Sequence, residues 1–130
     1  MRVLQPEGWP RPRGYSNGIE TEGRMVFVAG QIGWDEHEKF PSSDFAAQFR
    51  QALLNTLAVL KEAAAGPEHI VRMTWFVTSR DDYMGSLAQL GAAWKELMGR
   101  NYPTMAVIIV SGLVEKEAKI EIETTAVIPR

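Results

Sequence analysis

Apolar residues along the chain follow two rhythms. Phe45, Phe49, Leu53, Leu57 and Leu60 recur at spacings of four and three, which gives one buried stripe on a helix. Ser43 or Asp44 can cap that helix, which is expected to run to about Ala65, where Gly66-Pro67 stops it. A second helix is predicted from about Asp81 to Met98, with Tyr83, Leu87, Leu90, Trp94 and Leu97 on one side and Gly99 at its end. Between these lie runs rich in β-branched and aromatic residues, which read as strands: Arg24–Ala29, Ile70–Val77 and Thr104–Val110, the last opened by Pro103. Lys119–Ile128 alternates in part, Ile120, Ile122 and Ala126 against Glu121 and Glu123. Tyr15–Glu20 is a weaker strand, and Glu22-Gly23 can turn it into a hairpin with the next. Gly30-Gln31-Ile32-Gly33-Trp34 is expected to leave the strand as a loop.

The order β-β-α-β-α-β-β predicts an α+β fold, one mixed sheet with two helices on one face because crossover connections are right-handed. A sheet covered on one face only should alternate apolar with polar residues. Met25 to Val28 and Val107 to Val110 do not: they are apolar throughout. Two helices cannot cover both faces, so a second copy of the chain is the expected cover. The alternative is a sheet that curls on itself or is crossed by the N-terminal arm. Residues 1–130 read as one domain, with 1–13 an extended arm carrying Pro6, Pro10 and Pro12.

Composition narrows the function. The chain has 130 residues, a formal net charge of -2 and no cysteine, so it has no disulfide, thiolate metal site or Cys nucleophile. Arg11 and Arg13 stand among prolines and read as a solvated arm rather than a phosphate-binding patch. His37 and His69 lack metal-ligand spacing, and no phosphate loop, dinucleotide fingerprint or nucleophile elbow occurs. No metal, cofactor, nucleic acid or membrane partner is expected, and a cytoplasmic location is the default.

Gly14-Tyr15-Ser16, the run Val26 to Gly33, Gln48-x-x-x-Ala52-Leu53-x-Asn55, Val71 to Thr74, Pro103 and Ile120-Glu121-Ile122-Glu123 together resemble the YjgF/L-PSP (reactive-intermediate imine deaminase, Rid) family. The resemblance spans nearly the whole chain after the arm. It implies a chorismate-mutase-like subunit in a homotrimer with sheets inward, small-molecule sites in the clefts between subunits, and hydrolysis of enamines and imines to keto acids and ammonia. Some members of the family are instead described as ribonucleases or translation inhibitors.

The resemblance also carries a departure. The family's deaminases hold an arginine two residues after the proline that opens this strand, and it grips the substrate carboxylate; here that position is Met105. Losing a charge partner in a desolvated cleft costs about 2–5 kcal/mol. Tyr15 matches the family's pocket tyrosine, Gly30-Gln31 its ligand-facing backbone, and Glu121 the glutamate that activates water, with Glu123 as competitor. Taken alone, Tyr15 is a packed strand tyrosine, Gly30-Gln31 a strand-ending turn, and either glutamate a solvated face. Met105 reads as core or, with Trp34, as the wall of an apolar pocket for an uncharged or aromatic ligand. The expected functions are therefore a deaminase with a non-standard substrate or, in another class, a non-catalytic ligand sensor. Ribonuclease action is the weakest reading, because Trp75 and Trp94 occupy buried-pattern positions.

Overall fold

The computed structural model describes residues Met1–Arg130. Two short strands, β1 (Arg2–Leu4) and β2 (Gly18–Glu20), pair antiparallel and form a sheet of their own. The arm is thus part strand, and β2 does not make the hairpin expected with β3 (Arg24–Ile32). Gly23 supplies the reason. With φ at +150° it passes so close to the end of the last strand that a Cβ would lie 2.2 Å from the Ile128 carbonyl oxygen. The chain therefore swings away between the two strands, and Glu20 pairs instead with Arg2 at 2.9 Å.

The main sheet has four strands in the order β3-β6-β4-β5, with β4 Ile70–Val77, β5 Thr104–Ile109 and β6 Ile120–Ile128. Only β4 and β5 run parallel. The mixed α+β architecture expected from the pattern is the one observed. β3 continues through Gly30 and Gln31 to Ile32, with a register shift between Val28 and Gln31. The expected loop is therefore a bulged strand, the bulge absorbing glycine where pure alternation breaks.

Helix α1 (Phe45–Lys61) begins at Asp44, whose carboxylate accepts the Ala47 amide at 3.0 Å. It ends earlier than Gly66-Pro67 implied. Ala64 adopts φ +56° and the Ala65 amide reaches back to the Leu60 carbonyl, a left-handed closure that consumes the last carbonyls. The second predicted helix is two: α2 (Arg80–Gly85) and α3 (Leu87–Met98). Gly85-Ser86, both weak helix formers, break it at Ser86, where φ is -113° and ψ 8°.

Both long helices pack on one face of the sheet. Phe49, Leu53 and Leu60 of α1 and Leu90, Trp94 and Met98 of α3 join Met73, Trp75, Val77, Ile120 and Ile122 in a single core. The opposite face is bare. Phe27 is 71% exposed, Met25 60% and Ile108 43%.

Candidate functional site

The family-like residues fall into two groups on opposite faces of the sheet. The first lies beside β5. Ser16 is tied to that strand by its amide to the Pro103 carbonyl (3.0 Å) and its hydroxyl to the Tyr102 carbonyl (2.6 Å). These bonds lay Tyr15 along the edge of the sheet, over the helix-facing side of β5. Met105 pairs in register with Met73, and so turns to the same side. Tyr15 and Met105 meet in a cavity of about 790 Å³ between β5 and α3, walled by Trp75, Trp94 and Tyr102.

Trp75 is edge-on to Phe49 at 4.8 Å between ring centroids, and Trp94 lies 5.9 Å beyond Trp75. The Trp94 and Tyr102 rings are nearly parallel, 10° apart, at 6.4 Å. The buried positions read for Trp75 and Trp94 are observed: each is 7% exposed. Met105 is half-buried, packed on the core and lining the cavity at once, while the pocket considered for it together with Trp34 is not formed within the chain.

The second group is on the bare face. Alternation along β6 turns Ile120, Ile122 and Thr124 to the helices and Glu121 and Glu123 away from them. Glu121 is half-buried against Gly30: a Cβ on that glycine would lie 2.7 Å from the Glu121 carboxyl. Glycine is needed there for the side chain to lie flat on the backbone. Glu123 is exposed and faces a shallow groove shared with Arg72, Phe27 and Thr125. Glu121, not Glu123, is the carboxylate held against Gly30.

Gln31 folds onto its own strand, donating from Nε2 to the Ala29 carbonyl at 3.2 Å. Trp34 packs against Phe40 with centroids 6.0 Å apart, and does not line the Met105 cavity within the chain. Asn55 of α1 fixes this segment by donating to the Ile32 and Trp34 carbonyls at 3.0 and 2.7 Å. Gln48 likewise holds the approach to β6, donating to the Glu117 carbonyl and accepting the Lys119 amide at 2.9 and 2.8 Å. The family-like Gln48 and Asn55 therefore set loops. In the loop that follows, the Lys39 and His37 amides donate to Asp35, holding its carboxyl below the usual range.

Three cations line the aromatic cavity, Arg13, Lys95 and Arg100, and sequence reasoning gave none of them, nor Tyr102, a place there. Arg13 had read as part of a solvated arm, but the Ser16 anchor brings it back over β5. Its adjacency to Gly14-Tyr15 was the one available signal. Arg72 sits on the opposite face and does not reach Met105.

The family model described as Endoribonuclease L-PSP matches residues 10–128. A 2-iminobutanoate/2-iminopropanoate deaminase of Salmonella typhimurium is 34% identical over 127 residues, covering 97% of each chain. The crystal structure of YyfB from Yersinia pestis, a Rid family protein of unknown function, superposes with a TM-score of 0.85 at 32% identity and 98% coverage of both chains. Escherichia coli TdcF, solved with bound serine, superposes with a TM-score of 0.69 at 27% identity, covering 98% of this chain and 99% of that one.

Proposed function

The chain belongs to the Endoribonuclease L-PSP (YjgF/Rid) family, and from that premise we propose that it is a homotrimeric enamine or imine deaminase. Its site is assembled between subunits from the Tyr15–Met105 cavity of one copy and the Gly30–Glu121 surface of the next. The observation that carries this reading is the separation of the two groups. Register places Met105 and Glu121 on opposite faces of one sheet, so a single chain cannot bring them to one ligand. The bare apolar face around Phe27 and Met25, alongside Gly30 and Glu121 on β3 and β6, supplies a surface for a second copy.

In that cleft the chemistry is hydrolytic. Glu121 takes a proton from water as the oxygen adds to the carbon of the protonated imine. The carbinolamine then collapses: Glu121 returns that proton to nitrogen and takes up the hydroxyl proton as the C–N bond breaks, giving a keto acid and ammonia. The Tyr15 hydroxyl donates to a ligand oxygen, the Gly30-Gln31 backbone lines the same cleft, and Trp34 closes its side. The chain needs no cofactor for these steps, and a reducing cytoplasmic setting suits a protein without cysteine.

The test is keto-acid release from freshly generated imines. Glu121→Gln should lower the rate by about two orders of magnitude or more while the melting temperature stays put. An unchanged rate would remove Glu121 from the chemistry. Met105 favours a second reading, a ligand sensor without turnover, since it offers no charge to hold a small imino acid. Thermal stabilisation by a metabolite that is never converted would select it.

A further inference from the structure

The cavity beside β5 has an unusual lining. Its walls are aromatic and aliphatic, and its only charged groups are Arg13, Lys95 and Arg100, all at exposed positions. No carboxylate lines it, and none of the three cations takes part in any of the chain's salt bridges. They come from different places: the arm, the last turn of α3 and the segment before Pro103.

We propose that this cavity binds a flat aromatic carboxylate, its ring among Trp94, Tyr102 and Met105 and its carboxylate held by Arg100 and Arg13. The proposal deepens the deaminase reading and rests on the same site: it names the substrate class as the imines of aromatic amino acids. Replacing an arginine at position 105 with a thioether removes a central charge and leaves a polarizable surface, which favours an aromatic ring over a carboxylate at that point. The anion then sits further out, where guanidinium groups hold it in paired hydrogen bonds. A cavity of about 790 Å³ is also generous for a small imino acid and ample for an arylalkyl one.

Three probes separate the contributions, each titrated by calorimetry: phenylpyruvate, phenylacetone (the same body without the carboxylate) and 2-ketobutyrate (the carboxylate without the ring). Phenylpyruvate should bind about tenfold or more tightly than either of the others. The double variant Arg13→Ala/Arg100→Ala should weaken phenylpyruvate about tenfold and leave phenylacetone unchanged. With the unaltered protein, raising salt from about 0.05 M to about 0.5 M should weaken phenylpyruvate alone. Met105→Arg should narrow the gap between phenylpyruvate and 2-ketobutyrate.

Equal affinity for phenylpyruvate and phenylacetone, or for phenylpyruvate and 2-ketobutyrate, overturns the proposal. So does displacement of phenylpyruvate by a short single-stranded RNA, which would assign the cations to phosphates. Selective phenylpyruvate binding in a protein that hydrolyses no imine supports the proposal and defeats the catalytic reading. Turnover of a small imine with 2-ketobutyrate bound as tightly as phenylpyruvate does the reverse.

Discussion

The two faces of the four-stranded sheet carry similar residue types to different ends. On the covered face, Phe49 is fully buried and touches the edge of Trp75; on the bare face, Phe27 is 71% exposed. Both are phenylalanines at regular positions in their elements. The covered face is closed by α1 and α3 of the same chain, so its apolar residues define the fold. The bare face has no such cover, and its apolar residues are free to define an assembly. Each face also holds half of the family-like residues, Tyr15 and Met105 on one and Gly30 and Glu121 on the other.

That contrast can be broken most forcefully at Phe49. Phe49→Ala should cost about 3–5 kcal/mol of folding stability, read from the midpoint of chemical denaturation at unchanged slope. If it costs no more than a surface substitution, the core does not sit where the two faces are distinguished. Phe27→Glu should act on assembly instead. Burying a phenylalanine is worth about 1.5–3 kcal/mol, and a charge there opposes it. Light scattering should show single subunits that keep native circular dichroism, and an unfolded chain or an unaffected assembly would contradict the assignment.

Gly30→Ala sharpens the comparison within the bare face. Its Cβ meets the Glu121 carboxyl at 2.7 Å, so the glutamate must move. A stability loss of about 1–2 kcal/mol should accompany a larger fall in hydrolysis, and a variant with native kinetics would show that Glu121 need not lie against Gly30.

The smallest effect belongs to the loop leading from β3 towards α1. The Asp35 carboxyl is held below its usual range by the Lys39 and His37 amides. Its contribution is therefore present above the ordinary carboxylate pKa and disappears as pH falls through the lowered one. Protection of the His37 and Lys39 amides from exchange, relative to the intrinsic rate at each pH, should persist into mild acid and fall only below it, while protection of the core amides does not change. Asp35→Asn should abolish that pH dependence.

The legible parts of this protein were those governed by local rules. The spacing of Phe45, Phe49 and Leu53 placed α1 because a helix repeats every 3.6 residues whatever surrounds it. Asp44 and the runs at Ile70 and Thr104 likewise marked one end of α1 and two of the strands. The two-sided apolar strands implied that the sheet needs more cover than its helices give. The order of short motifs, none specific alone, carried the family likeness.

Tertiary structure decided what depends on residues distant in sequence. Whether β2 pairs with β1 or β3 turned on Gly23 meeting Ile128, more than a hundred positions away. The break at Ser86 was present in Gly85-Ser86, but so weak a signal is readily overridden by an amphipathic stripe. Above all, Arg13 became part of a pocket wall because Ser16 is bonded to Tyr102 and Pro103. Sequence states which charges a chain owns and which face of its own element each residue takes. Which charges share one cavity is set by the packing of elements against one another, and neither periodicity nor composition records that.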